Sequence, residues 1–258
     1  MKRFILVCLF VAVAASGFGQ VSQIKGASSS ARSRSGSGDF RSSSGAGVSY
    51  FFFNVVGSGI INWQRSVLDK RYDVPSVVSL EVMTHAAIQP SSYYIMNPRI
   101  RGNWGIFLTD FRFNYLLEES IGSPKDLSTI DWQVIGFNLV SHQNVNARLS
   151  TGVMTENFGE HKSFNETVFG LTVQSGKRNL GASAEYRWAN DFNTLTVPRR
   201  EFSINLQRQI FDRGVFHGFA TAGFQYQRYY SEVSVWGVQA GLNVRIYKLR
   251  SPDTDSDE

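Results

Sequence analysis

From Val78 to Tyr247 the chain alternates apolar and polar residues with a period of two, and this alternation constrains the fold more than any other feature. In "VWGVQAGLNVRIY", residues 235–247, Trp236, Val238, Ala240, Leu242, Val244 and Ile246 share one face of an extended chain. Gly237, Gln239, Gly241, Asn243 and Arg245 share the other. About ten runs of this kind, each of strand length, recur over 78–88, 95–107, 109–118, 130–141, 144–154, 165–175, 180–190, 200–211, 214–229 and 232–247. Strands with one greasy and one wet face can close into a barrel. The pattern predicts an all-β, antiparallel up-and-down barrel of about ten strands, within a range of eight to twelve.

The residue types say which way the greasy face points. One parity carries Val78, Leu80, Val82, Ala86 and Ile88, then Phe111, Phe113, Tyr115 and Leu117, then Phe202, Ile204, Leu206 and Ile210. The other carries Glu81 and His85, Arg99 and Arg101, Asp110 and Arg112, Arg148, Glu185 and Arg187, and Arg245. A solvated outer face would be rich in Lys and Glu. Lys is nearly absent from these runs, and Arg with the amides takes the polar positions, as suits a crowded interior that must satisfy its own hydrogen bonds. The polar set is therefore placed inside, with Glu81, Arg99, Arg101, Asp110, Arg112, Arg148, Glu185, Arg187 and Arg245 as a lumen network. The preferred reading is a lumen filled by ion pairs, since about ten strands leave little spare room. The competing one is a narrow anion-favouring passage, because the arginines outnumber the acids.

Aromatic and loop patterns agree with an outward apolar face. Threading the strands up and down sets Tyr115, Trp132, Trp188, Tyr226 and Trp236 near one rim, and Trp104 and Phe111 near the other, as two aromatic girdles. Short links such as "FLTD", "SHQN", "SGKRN" and "FDRG" alternate with longer ones over 118–130, 154–165 and 190–200, although "RYYSE" is short where a long one is due. A parity break between Val134 and Ile135 is assigned to a bulge.

The segments outside the barrel (75–248) read differently. Residues 1–20 have a basic start at Lys2 and Arg3, an apolar run from Phe4 to Ala15, and small residues thereafter. That is a secretory signal peptide cut near Gly19 or Gln20; its apolar run falls well short of the roughly 20 residues of a spanning helix. Its Cys8 is the chain's one cysteine, so the exported part has no thiol or disulfide chemistry. Residues 21–48, rich in Ser, Gly and Arg, read as a disordered tether. Over 49–74, Phe52, Val56, Ile60, Trp63 and Val67 recur at helical spacing and predict an amphipathic helix on the periplasmic side; a strand through "SYFFFNVV" is the competing reading. Residues 249–258 form an acidic tail. Removing Lys2 and Arg3 lowers the basic count from 26 to 24 against 21 acids, too near balance to argue for nucleic acid.

Signal segment, alternating strands, loop pattern and girdles together resemble the small Gram-negative outer-membrane β-barrel proteins of the Bacteroidetes type, in architecture rather than through a motif. The acidic stretch after Tyr247 departs from their common aromatic ending. The resemblance implies export to the outer membrane, with lipid and lipopolysaccharide as neighbours and the three long loops as the place for a protein partner. No metal-spaced His cluster, phosphate loop or catalytic motif is present, and no cofactor is expected. The expected role is non-enzymatic: structural, assembly or narrow-pore. Two alternatives remain. One is a barrel-embedded lipid hydrolase using His142 with Ser141 or Ser150; the other is a soluble periplasmic ligand-binding barrel.

Overall fold

The computed structural model describes residues 20–32, 59–89, 93–119, 124–158, 161–175, 179–191 and 196–248. Ten strands dominate it: β1 (Val78–Gln89), β2 (Tyr93–Trp104), β3 (Phe107–Glu118), β4 (Lys125–Ser141), β5 (Val145–Glu156), β6 (Ser163–Gln174), β7 (Leu180–Asn190), β8 (Arg199–Arg213), β9 (Phe216–Tyr229) and β10 (Val233–Ile246). Each pairs antiparallel with its neighbour in sequence, and β1 pairs with β10 from Leu80↔Ile246 to Ile88↔Val238, closing the barrel. Closure matters energetically because it leaves no strand edge with unpaired backbone groups.

The two ends of the barrel differ. One holds the turns 105–106, 142–144 and 214–215 and the β6–β7 junction, together with the start of β1 and the end of β10. Two of these turns are two-residue links led by Gly105 (φ 63°) and Gly214 (φ 62°), the positive-φ first position that a II′ hairpin turn demands. The other end holds the junctions β1–β2, β3–β4, β5–β6, β7–β8 and β9–β10. The long links are shorter than expected over 118–130, 154–165 and 190–200: β3 runs to Glu118 and β4 starts at Lys125, β5 reaches Glu156, and β8 begins at Arg199. Polar, low-propensity ends such as "KDLST" still join the ladder because pairing with a formed neighbour supplies their hydrogen bonds.

Alternation governs the cross-section. The apolar parity is exposed on the outside, including Leu80, Val82, Ile100, Phe111, Leu149, Phe169, Ile204 and Leu242, and the polar parity is buried inside. At the expected bulge the register shifts between Trp132 and Ile135, and both Val134 and Ile135 are exposed. The girdle residues are not split between two rims as expected, because Phe111 and Trp132 are direct cross-strand partners. Instead one register row of outer residues is almost wholly aromatic. Trp104 pairs with Phe107, Phe107 with Phe137, Phe137 with Leu149, Leu149 with Phe169, Phe169 with Tyr186, Tyr186 with Phe202, Phe202 with Tyr226, and Tyr226 with Trp236. The row starts at the short-turn end of β2 and finishes at the opposite end of β10, the climb that tilted, staggered strands impose. Phe111, Trp132, Tyr115 and Trp188 lie off this row; Trp188 packs on Tyr186 with ring centroids 5.4 Å apart.

Two helical segments complete the description. Helix α1 (Gln20–Arg32) takes in the last residue of the expected signal segment and residues 21–32 of the stretch read as a disordered tether, which is corrected for those residues. Its composition is poor for a free helix, with four serines and Gly26. Val21, Ile24, Ala27 and Ser28 nevertheless line up on one buried face, and the barrel covers that face. Residues 59–68 are also helical. Gln64 sits against the short turn at Gly105: its side-chain nitrogen donates to the Trp104 carbonyl at 3.2 Å, and its oxygen accepts the Ile106 N–H at 2.7 Å. The helix expected over 49–74 thus ends at 68, and 69–73 are turns; residues 1–19, 33–58 and 249–258, which hold the rest of the expected signal segment, tether and helix and the acidic tail, lie outside the described residues.

Candidate functional site: a charged lumen closed by a helix

Arginine dominates the lumen because each guanidinium carries five fixed N–H donors, enough to bridge carboxylates from several strands. Two layers result. In the layer nearer the short turns, Glu185 of β7 is the hub. Arg99 donates to both of its oxygens at 2.9 Å, Arg148 donates at 2.9 Å, Arg101 at 3.3 Å and Arg187 at 2.7 Å. Arg99 also clamps Asp110, which Arg101 reaches at 3.0 Å, and Arg101 extends to Glu81 at 3.4 Å. All nine residues expected in the lumen network face the interior, and eight of them join this layer: Glu81, Arg99, Arg101, Asp110, Arg148, Glu185, Arg187 and, 3.7 Å from Glu81, Arg245.

The ninth, Arg112, belongs to a second layer nearer the long loops. It donates to Asp131 at 2.8 Å and to Glu201 at 2.9 Å. Arg199 donates to Asp131 at 2.7 Å, Glu166 at 2.6 Å and Thr129 at 2.7 Å. Arg187 reaches Glu166 at 3.2 Å and so ties the layers together. Asp131, Glu166, Arg199 and Glu201 were missed by the sequence reading. Asp131, Glu166 and Glu201 lie inside the expected strands 130–141, 165–175 and 200–211, in parity with Gln133, Val168 and Ser203, so their inward direction was legible; only Arg199 fell in a stretch assigned to a loop, 190–200.

Above the second layer the inward positions turn apolar. Tyr93, Ile95, Leu116, Leu127, Tyr229, Val233 and Val235 form a collar at the long-loop end, with Tyr230 and Phe158 beside it, and Val21, Ile24 and Ala27 of α1 pack into it. Polar contacts hold both ends of the helix. The Glu118 carboxylate accepts the backbone N–H groups of Gln20 and Val21, both at 3.0 Å, and the Tyr93 hydroxyl at 3.1 Å. A carboxylate on first-turn amides is favoured by unpaired donors and by the helix dipole. Lys125 donates to the Ser22 hydroxyl at 2.7 Å, and Ser28 donates to Glu156 at 3.4 Å, where Tyr230 also donates at 2.7 Å. The signal for this seat was visible as a change of character on one face: in β10 the parity that carries Gln239 and Asn243 begins with Val233 and Val235.

Below the first layer the lumen is not filled. A polar recess of about 440 Å³, open solvent included, lies among His85, Arg99, Arg101, Arg148, Glu185 and Arg245. A second recess of about 420 Å³ shares Glu81, Arg148, Thr172 and Arg245 with it and reaches the short-turn rim at Pro75, Ser76 and His142. The space is therefore a vestibule entered from the short-turn end. His142, offered above as a hydrolytic base, stands at that rim with its Nδ1 accepting the Asn144 N–H at 3.4 Å. Among the described residues no hydrogen bond joins it to Ser141 or Ser150, and the Ser141 hydroxyl has no partner. His217 is elsewhere, stacked on Tyr247 at 3.9 Å. No group of three or more metal-ligating side chains is found among the described residues.

No protein-family model matches the chain, and no curated protein matches its sequence.

Proposed function

We propose that this chain is a small outer-membrane β-barrel with a sealed lumen, serving a non-enzymatic structural or assembly role. One observation carries the reading: the barrel is inside out relative to a water-soluble one. Its arginines and carboxylates are buried within, and Trp104 (64% exposed), Ile88, Leu206 and Leu242 stand on the outside. Such an exterior suits lipid, where a closed sheet leaves no backbone group unpaired. The signal-like first residues supply the route, with lipid and lipopolysaccharide as the surroundings of the belt. Two charged layers and the docked α1 favour a closed barrel over a narrow pore. The links 119–124, 157–162 and 191–198, inside the stretches proposed from sequence, are where a protein partner would bind.

The test is a gel of carbonate-washed outer membranes from expressing cells, run boiled and unboiled. A pelleted band that shifts on boiling, together with silence in planar bilayers, is the expected result. Release of the protein by osmotic shock without detergent would overturn the membrane reading, and steady conductance steps would overturn the sealed lumen.

A further inference from the structure

Where two arginines face each other inside the barrel, acids hold them. Arg99 and Arg112 are direct cross-strand partners, yet Asp110 and Glu185 accept from the first, and Asp131 and Glu201 from the second. On the outside one such pair has no acid. Arg200 of β8 and Arg228 of β9 are direct partners on the outward parity at the long-loop end, and both are exposed. Neither makes an ion pair with any described residue, Glu232 of the adjoining turn included. Like charges set directly opposite each other on a sheet are destabilising. One of the two is nevertheless fixed in place. Arg228 donates to the Ser231 carbonyl at 2.6 Å, in a turn where Tyr230 (φ 52°) and Ser231 (φ 61°) both take the left-handed conformation that residues other than glycine rarely adopt. This turn is the "RYYSE" link, short where a long one was due, and both guanidiniums stay open to the outside. Their height suits a headgroup. On β8 the outward residues between Arg200 and Arg208 are Phe202, Ile204 and Leu206, all exposed. From 200 to 208, at ~3.4 Å per residue and a tilt of about 40°, the strand climbs about 21 Å, close to the ~25 Å apolar band of a membrane barrel. Arg200 and Arg208 thus mark the two edges of the band on this strand, and the row just inside Arg200 and Arg228 is aromatic, with Tyr186, Phe202 and Tyr226 as successive partners.

We infer that Arg200 and Arg228 form a seat for a lipid-borne phosphate, that of lipid A in the outer leaflet. Each guanidinium offers a planar fork of donors matched to phosphate oxygens, and a phosphate between them supplies the negative charge that the chain lacks at this point. The exposed Phe202, Ile204 and Leu206 take the acyl chains, a contact that free phosphate cannot make, so the occupant is a lipid headgroup and not a soluble ion. The inference rests on the outer-membrane reading and goes past it: that reading makes lipopolysaccharide the surroundings of the whole belt, and this one gives its phosphate a fixed place on β8 and β9.

The experiment uses the full chain folded free of lipopolysaccharide in a non-ionic detergent, titrated with bisphosphorylated lipid A and read by native mass spectrometry, which counts bound lipids. One lipid A per chain is expected, bound at least tenfold more tightly than dephosphorylated lipid A. Arg200→Gln and Arg228→Gln together should weaken binding at least tenfold, and Arg208→Gln at the opposite edge of the band should leave it unchanged. Without lipid A the double variant should unfold at no lower temperature than wild type, because a like-charge contact is gone; with lipid A only the wild type should gain stability. That reversal separates a phosphate seat from a pair that merely shapes the barrel. The boiling shift reports the barrel separately. Protein that shifts on boiling but binds dephosphorylated lipid A equally well overturns this inference alone, whereas release by osmotic shock overturns the membrane reading beneath it. Binding untouched by the double substitution, an equal loss in Arg208→Gln, or displacement of lipid A by inorganic phosphate at equal concentration would each overturn the seat as well.

Discussion

The seat of α1 in the long-loop mouth makes a sharp prediction at Ile24, which is fully buried in the apolar collar. Ile24→Ala removes three carbons, worth about 2.4 kcal/mol at ~0.8 kcal/mol per buried CH₂. The cavity left behind brings the expected cost to about 2–5 kcal/mol. The loss falls on docking and not on the barrel, because the ten-strand ladder makes no use of this side chain. At about 1.4 kcal/mol per decade, the undocked population of α1 should rise by roughly 30-fold to several thousand-fold. Hydrogen exchange read by mass spectrometry measures this directly. Peptides over 20–32 should lose protection while strand peptides such as 180–190 keep theirs, and the temperature of the boiling shift should not move. Lys25→Ala, on the exposed face of the same helix, should leave exchange unchanged. Equal protection in wild type and Ile24→Ala would refute the docked helix. Loss of protection in helix and strands together would refute the separation of plug from barrel.

Other changes probe the remaining contacts. Glu118→Gln removes the negative charge from the first turn of α1 and should weaken docking by about 1–2 kcal/mol in the same exchange assay. Arg199→Met leaves Asp131 and Glu166 each short of a guanidinium at zero exposure, and should destabilise the whole barrel by about 3–5 kcal/mol in urea unfolding from lipid vesicles. Arg200→Ala, exposed next door, should stay within about 0.5 kcal/mol. Gly152→Val should abolish the boiling shift, since a Cβ there would lie 2.0 Å from the Trp132 carbonyl, whereas Gly102→Ala meets nothing nearer than 3.8 Å and should fold normally.

The two faces of each strand, and hence the barrel, follow from sequence parity, a local property that needs no knowledge of partners. The same parity put Arg99, Arg101, Asp110, Glu185 and the other expected lumen residues inside, and their identity as Arg rather than Lys pointed to a packed interior. Pairing was beyond it. Arg187 meets Glu185 two positions away, but it also meets Glu166 from the next strand, and register alone decides which carboxylates a guanidinium reaches. Strand ends were also hidden, because "KDLST" carries loop-like composition and extends only through cross-strand hydrogen bonds. The same applies to α1: a serine-rich segment offers little local preference for a helix, and an apolar collar assembled from β1, β2, β3, β4, β9 and β10 supplies what the segment lacks. The sequence by itself determined which side chains face in and which face out, because alternation is written along each strand. Only the tertiary structure decided the ion-pair partners, the vestibule and the occupied mouth, because each requires strands far apart in sequence to be closed at a particular stagger.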